Sequence, residues 1–173
     1  TSCEILQPPV RTIDPAVIRA IVQACQDNMR LEVDYVSLKN PVSETRVIAP
    51  HTLVYSGARW HVRAYCEKNR DFRDFVLTRF RGQPVPVMPS DISVTDDANW
   101  NTWVEVIIKP DPRLHKEQRH LIEQDYGMVK GALRLKTRGP LTQYQLQMMQ
   151  IDDKVLRGKP SSQQIIVENL EDL

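Results

Sequence analysis

The 173-residue sequence predicts a protein of mixed α and β class: a small antiparallel β-barrel with an N-terminal helix, followed by a small α+β domain. Three observations support this prediction. A helical apolar period near the N-terminus leads into four closely spaced strand-like segments. Three prolines then fall within six residues, at Pro84, Pro86 and Pro89. Beyond them, strand-like and helix-like segments alternate.

The barrel is expected over residues 11–81, after residues 1–10, which would be the tail of a missing N-terminal region. Its helix should begin at Pro15, because proline suits the first helical position and Asp14 can cap it. The apolar face of this helix is formed by Ile18, Ile21, Val22 and Cys25. Strands are expected over residues 31–36, 46–55, 60–66 and 72–80. Short strands with tight turns and no helices between them are typical of small antiparallel barrels.

The prolines predict a linker over residues 82–99, and a second domain is expected over residues 100–173. Strands are expected there over residues 103–109, 128–137 and 164–167, and helices over residues 114–126 and 140–150. Gly127 would end the first of these helices, and the middle segment would be one strand or a pair of strands bent at Gly131. This order of elements suggests a small α+β sandwich of the ferredoxin-like kind.

The positive charge of the sequence is concentrated in its first half. Residues 1–90 carry 12 Lys+Arg against 9 Asp+Glu, and residues 91–173 carry 11 against 13, so the net charge of +1 hides an uneven distribution. Ten of the first 12 cations are arginines. Arginine presents a rigid fork of donors that fits carboxylate and phosphate groups. The near-zero total argues against a nonspecific nucleic-acid coat, which needs a surplus of cations.

The sequence also argues against several classes of protein. It contains no apolar run of about 18 residues and no secretory leader. Cys3, Cys25 and Cys66 are odd in number and far apart, so we expect reduced thiols in a cytoplasmic protein, with no metal site and no cofactor. Motifs for a nucleophile, a phosphate loop or a catalytic metal are missing, and an enzyme is therefore not expected.

The period of the strands places several polar side chains on one face. Trp60 belongs to the opposite face of the third strand, with Val62 and Ala64, and is expected in the core. A hairpin would bring the polar face near Arg73 or Arg79 of the fourth strand. The side chains that share the polar face of the third strand are His61, Arg63 and Tyr65.

Two interpretations of this face are open from the pattern alone. With Tyr35 and Ser37 of the first strand, it would form a cationic surface with aromatic and hydroxyl groups, suited to a phosphate-bearing or nucleotide-like ligand. Any half-exposed sheet, however, shows polar residues at alternate positions. In that case Arg63 or Arg79 would simply pair with an acidic neighbour, Asp34 or Asp74.

Several separated segments resemble the WYL domain family. Residues 59–65 (Arg-Trp-His-Val-Arg-Ala-Tyr) and 72–80 (Phe-Arg-Asp-Phe-Val-Leu-Thr-Arg-Phe) are similar to the core of WYL domains, and residues 31–37 and 46–54 fit in order and spacing. In the second half, residues 107–112 and 123–128 resemble the C-terminal extension that follows many WYL domains. The subgroup that the sequence resembles most is the BrxR/CapW type of bacterial repressor, encoded beside anti-phage defence operons.

The resemblance implies a homodimeric regulator with a winged helix-turn-helix domain for operator DNA, a WYL domain with an SH3-like (Sm-like) barrel, and the extension. No winged-helix pattern is visible here, so the chain would be the ligand-sensing and dimerising remainder. The Trp-Tyr-Leu signature stands as Trp60-His61-Val62, in which His61 departs from the family tyrosine and adds a group that titrates near neutral pH. The ligand-binding positions of the family carry over as Tyr35, Ser37, Arg46, His51, His61, Arg63, Tyr65, Arg73 and Arg79.

Two hypotheses about function follow. In the first, an anionic nucleotide or single-stranded nucleic acid binds the WYL pocket and shifts the dimer between DNA-binding and DNA-releasing arrangements. In the second, the barrel binds single-stranded nucleic acid directly, as an Sm-like module does.

Overall fold

Helix α1 (Pro15–Asp27) is the first element of the chain, where the sequence predicts it. In this computed structural model, which describes residues 2–5, 8–151 and 159–172, the carboxylate of Asp14 accepts a hydrogen bond from the backbone N–H of Ala16 at 2.8 Å. Asn28 ends the helix in the left-handed conformation, with φ of 51°. Residues 1, 6 and 7 of the predicted tail, and residues 152–158 and 173 of the predicted second domain, lie outside the described residues.

Five antiparallel strands follow α1 and pair in the order β4-β3-β2-β1-β5. They are β1 (Met29–Tyr35), β2 (Glu44–Tyr55), β3 (Trp60–Cys66), β4 (Asp71–Val76) and β5 (Phe80–Pro89). In β1, Leu31 and Val33 are buried, whereas Glu32 and Asp34 are exposed. This alternation is that of a strand with one face on a core.

The sheet is not the closed barrel that the sequence predicts. β4 and β5 are its two edge strands, and no ladder joins them within the described residues. The predicted fourth strand, residues 72–80, ends instead at Val76, whose backbone N–H donates to the Tyr35 hydroxyl at 3.0 Å. A 3₁₀ helix (Leu77–Arg79) follows and turns the chain into β5.

β5 contains the prolines that suggested a linker over residues 82–99, and for residues 82–89 that prediction is wrong. The strand pairs only with β1. Pro86 lies opposite Leu31 and Pro89 lies opposite Met29, and the register is irregular beside these pairs. Proline has no N–H to donate, and it is tolerated in a sheet at edges and bulges. The three prolines therefore mark an edge strand. The chain divides into two compact units, Thr1–Asp97 and Ala98–Leu173.

The core of the first unit lies between α1 and one face of the sheet. Leu31 and Ile48 are fully buried on neighbouring strands, and Ile21 of α1 is fully buried above them. The other members of this core are Val17, Ala24, Val33, Tyr35, Val62, Ala64, Cys66, Phe75, Leu77 and Phe80. The three cysteines are free thiols, and burial raises the pKa of the Cys25 thiol to about 11.

The second unit is an α+β unit with a three-stranded antiparallel sheet in the order β7-β6-β8. Its elements are α2 (Ala98–Asn101), β6 (Trp103–Pro110), α3 (Lys116–Asp125), β7 (Leu133–Arg138), α4 (Thr142–Met148), α5 (Pro160–Gln163) and β8 (Ile165–Val167). Val106 and Ile108 of β6 are fully buried in the core of this unit.

The predicted strands and helices of the second unit appear in the predicted order, and the structure adds two short helices, α2 and α5, that the sequence does not predict. The segment over residues 128–137, expected as one strand or as a pair bent at Gly131, is a tight turn with a single bridge between Val129 and Ala132, followed by β7. Gly131, with φ of 76°, makes that turn. Among the described residues, the helices are too short or too polar to cross a membrane, and His, Cys, Asp and Glu side chains form no group of three that could hold a metal ion.

Leu31 offers a direct test of the first core. Leu31→Ala should lower the free energy of unfolding by about 2–5 kcal/mol, because it leaves a cavity between α1 and the sheet. Leu38→Ala removes the same atoms from a side chain that is 82% exposed and should change stability by less than about 0.5 kcal/mol. Urea denaturation of both variants measures the difference, and equal shifts would contradict this description of the core.

Candidate functional site

Arg63 lies at the centre of a buried cluster of charged and aromatic side chains on β3. The two neighbouring strands place Thr52 and Asp74 opposite it. The Arg63 guanidinium donates to both carboxylate oxygens of Asp97, from Nε at 2.7 Å and from Nη2 at 3.3 Å. Its Nη1 donates to Asp74 at 3.3 Å. The fork is therefore engaged by two carboxylates of the same unit.

His51 joins this cluster because β2 is irregular. The register between β2 and β3 shifts between Pro50, which lies opposite Ala64, and Thr52, which lies opposite Arg63, so His51 is the extra residue of a β-bulge. Its Nε2 lies 3.3 Å from Asp97, and its Nδ1 lies 2.8 Å from the Thr52 hydroxyl. Which nitrogen carries the proton depends on the tautomer. The irregularity thus brings an imidazole to the carboxylate that Arg63 binds.

Burial governs the electrostatics of the cluster. The side chains of Arg63 and Asp97 are only 8% and 2% exposed. Burial alone would lower the pKa of Arg63, but the hydrogen bonds and charges of Asp97 and Asp74 outweigh it and raise that pKa. Burial lowers the pKa of His51 despite the nearby Asp97 carboxylate, so the neutral imidazole is favoured. With a neutral His51, one cation faces two anions in this cluster.

Aromatic side chains form one wall of the cluster. The Tyr65 and Phe72 rings meet edge to face, with centroids 5.3 Å apart, and the His51 and Phe72 ring centroids are 5.7 Å apart. His61 lies two residues before Arg63 on β3, on the same face of the strand, and is fully buried. Burial also lowers the pKa of His61, against the opposing charge of Asp74. The structure therefore brings together four of the predicted ligand-binding residues: His51, His61, Arg63 and Tyr65.

Two other predicted ligand-binding residues point away from this cluster. Tyr35 lies in the core, with its ring against Phe75 at 4.9 Å. Arg73 is exposed and pairs with Asp71 at 3.1 Å. The expectation that Arg73 approaches Arg63 is wrong, because the register sets Asp74 opposite Arg63 and Arg73 opposite Ala64.

The remaining three predicted residues have roles elsewhere in the unit. The Ser37 hydroxyl accepts a hydrogen bond from the backbone N–H of Asn40 at 2.9 Å and closes a loop. Arg46 pairs with Glu44 at 2.6 Å and also donates to Asn69. Arg79 lies in the 3₁₀ helix between β4 and β5, so it does not continue the face of β4.

Trp60 is not the core residue that the strand period predicts. It is 41% exposed, and its ring packs against the ring of Tyr55, with centroids 5.0 Å apart. Trp60 is the first residue of β3 and pairs with the last residue of β2. The alternation of faces holds along β3, but the core ends before it reaches this end of the strand.

Asp97 is the functional candidate that the sequence reasoning missed. It falls in the predicted linker, 34 residues from its partner Arg63. A local signal precedes it, because Ser93 and Asp96 form a capping box around a 3₁₀ helix (Val94–Asp96). That pattern indicates a structured turn at this point of the chain. The pairing of Arg63 with Asp74, by contrast, was one of the two interpretations that the sequence left open.

Removing the Asp97 carboxylate should strongly destabilise the first unit. Asp97→Ala leaves a buried guanidinium without its main partner, and we expect a loss of about 3–5 kcal/mol in the free energy of unfolding. Asp91→Ala is the matched control. The Asp91 carboxylate is 98% exposed and lies 3.7 Å from Arg30, so this surface ion pair is weak, and its loss should change the free energy of unfolding by less than about 1 kcal/mol. Urea denaturation compares them, and a similar loss in both variants would count against the buried pair.

The two buried imidazoles should make stability depend on pH. Both have lowered pKa values in the folded chain, so between about pH 7.5 and pH 5.5 the unfolded chain takes up protons that the folded chain does not. Stability should therefore fall as the pH falls through this range. The variant His51→Gln/His61→Gln should have a smaller slope in urea denaturation across the same pH values, and an unchanged slope would show that other groups are responsible.

Comparison with known proteins agrees with the resemblance seen in the sequence. Residues 16–83 match the model of the WYL domain, and residues 103–173 match that of the BrxR transcriptional regulator, C-terminal dimerization domain. A solved structure of the proteasome accessory factor B/C (PafBC) of Arthrobacter aurescens is 18% identical, with a TM-score of 0.41 over 78% of this chain and 23% of that one. That similarity is too low to bear on the fold.

Three curated relatives are named as the DNA-binding transcriptional repressor CapW. The protein of Escherichia coli (strain KTE188) is 33% identical over 95% of this chain and 54% of its own length. Those of Pseudomonas aeruginosa and Stenotrophomonas maltophilia are 34% and 31% identical, over 94% and 99% of this chain and 54% and 58% of their lengths. The chain thus spans little more than half of each relative, and their names describe repressors rather than enzymes. The chain therefore contains a WYL domain followed by a BrxR C-terminal dimerization domain, and across both it is similar to the repressors named CapW.

Proposed function

We propose that this chain is the ligand-sensing and dimerising region of a homodimeric bacterial transcriptional repressor that acts in the cytoplasm. A winged-helix domain outside the chain would bind operator DNA and control a phage-defence operon. The two matched domains and the repressor relatives support this proposal. The observation that carries the sensing role is the buried Arg63 guanidinium, with carboxylates on its fork and aromatic rings beside it.

The two units would then be an SH3-like sheet and a ferredoxin-like unit. In the first, the edge strands β4 and β5 are separated only by a 3₁₀ helix, as in a partly open SH3-like barrel. In the second, the order β7-β6-β8 is that of a ferredoxin-like sheet without one edge strand. The tight turn at Val129 and Ala132 would stand where that strand belongs.

The ligand would be an anionic nucleotide or a single-stranded nucleic acid that uses Arg63. A phosphate group and a carboxylate offer similar acceptors to an arginine fork, so a bound phosphate would take the position that Asp97 holds here. The rings of Tyr65, Phe72 and His51 offer apolar surface beside that position. Five further proposed ligand-binding residues lie outside the cluster, and a ligand would have to extend beyond the cluster to contact them. They are Tyr35, Ser37, Arg46, Arg73 and Arg79.

Regulation would follow from the exchange of Asp97 for the ligand. Asp97 ends the first unit, directly after the 3₁₀ helix Val94–Asp96. A phosphate that displaced its carboxylate would release this segment from β3. Ligand binding can shift the repressor between two states only if its affinity for the two differs, and loss of the Arg63–Asp97 pair in one state would supply such a difference.

A direct single-stranded nucleic-acid-binding, Sm-like module is the second candidate function. The observation in its favour is the exposed aromatic pair of Tyr55 and Trp60, which are 53% and 41% exposed. Exposed rings beside arginine are typical of surfaces on which successive bases stack. Such a surface would gain affinity with each added nucleotide and lose it steeply with salt.

Titration of the chain with mononucleotides, cyclic nucleotides and short single strands at two ionic strengths tests the proposal. Arg63→Lys keeps the charge but loses the fork, and it should lower nucleotide affinity at least about tenfold. Arg81→Ala is the control, because Arg81 is an exposed arginine on β5 that should leave binding unchanged.

Equal affinities of the wild-type chain and the Arg63→Lys variant would contradict the assigned pocket. Affinity that rises with strand length, and that Trp60→Ala removes while Arg63→Lys does not, would favour the direct binding module instead. Circular dichroism of each variant confirms that a loss of binding is not a loss of fold.

A further inference from the structure

A cleft in the second unit gathers positive charge that the proposed sensing site does not use. It lies along α3 and the ends of β6 and β8, with a volume of about 610 Å³. Three elements contribute its cations: β6, α3 and the turn before β7. These cations are Lys109, Lys116, Arg119 and Lys130.

One of the two carboxylates in the cleft is already paired with a lysine, because Lys109 donates to Glu168. The other, Glu123, lies 3.7 Å from His120, which can form an ion pair with it only when the imidazole is protonated. Among the described residues, no carboxylate lies within ion-pairing distance of Lys116, Arg119 or Lys130. Four cations against two carboxylates give the lining a formal charge of +2, although residues 91–173 as a whole are acidic.

The backbone conformation brings three of these cations to the cleft. Lys116 and Arg119 are one turn apart on α3, where like charges repel each other. Lys130 has φ of 54° and Gly131 φ of 76°, the conformation of a type I′ turn between Val129 and Ala132. A lysine in the left-handed region is uncommon, so the turn holds Lys130 at the cleft at some conformational cost.

We propose that this cleft binds a phosphate-bearing anion with at least two phosphate groups. Lysine ammonium groups and an arginine fork arranged on three elements fit a diphosphate or two consecutive phosphates of a nucleic-acid strand. The rings of Pro110 and Pro112, with the side chain of Ile166, provide apolar surface beside the cations for a sugar or base. Binding would relieve the repulsion among Lys116, Arg119 and Lys130.

The proposal is independent of the sensing site, because the cleft residues all belong to the second unit. Isothermal titration of the full chain with pyrophosphate and with a short oligodeoxythymidylate tests it. Lys116→Ala/Arg119→Ala should lower the affinity for the bound probe at least about tenfold at low salt, since two phosphate contacts are lost. Arg134→Ala/Lys136→Ala removes the same charge from exposed residues of β7 outside the cleft and should bind as the wild type does.

The source of the phosphates follows from the two probes. Binding of both probes would indicate a nucleotide-like ligand, whereas binding of the oligonucleotide alone would indicate a nucleic-acid strand; either result supports the cleft if the double variant loses it. Protection of Lys116 and Lys130 from acetylation by the bound probe locates the contact directly. Wild-type affinity in the Lys116→Ala/Arg119→Ala variant, no binding of either probe, or binding lost only in Arg63→Lys, would overturn the proposal.

Discussion

The buried ion pair of Arg63 and Asp97 is the interaction on which the proposed sensing site depends. Both side chains are almost completely withdrawn from water, and two carboxylates share one guanidinium. A buried pair of this kind contributes little net stability compared with an apolar replacement, but the loss of one partner is severe. The pair therefore acts mainly as a positional constraint. It fixes the end of the first unit against the β3 face that carries His61 and Tyr65, beside His51 of β2, and under the proposed function it is what an incoming anion would displace.

Local patterns predicted much of the fold, whereas contacts between distant residues were not predictable. The alternation in β1 and β3 and the cap of α1 gave the correct elements. The prolines of β5 were misread because their tolerance depends on an edge position, which only the strand order reveals. Trp60 was misplaced because alternation gives the face of a residue but not where the core ends. Asp97 was missed because no periodic pattern links it to Arg63 across 34 residues.

The residues of the candidate site were likewise predictable where a local pattern placed them and not where a contact between strands did. The face shared by His61, Arg63 and Tyr65 was predictable from a period of two residues. The inclusion of His51 required an irregularity in β2, and the exclusion of Arg73 required the register of β3 against β4. The two proposed anion sites differ in kind. The Arg63 site is buried and holds carboxylates of its own chain, which would suit a selective ligand, whereas the lysine-lined cleft is open and would suit electrostatic capture.

The state of the Arg63 side chain in solution tests the central claim most directly. The Arg63 Nε–H signal, assigned by its absence in Arg63→Lys, can be followed by NMR in the free chain and during titration with a nucleotide. A side chain bound to Asp97 should give a distinct Nε–H that exchanges slowly with water, and a ligand that replaces Asp97 should shift that signal in proportion to occupancy. An Nε–H that exchanges as rapidly as those of exposed arginines, and that does not move at saturating nucleotide, would contradict the account.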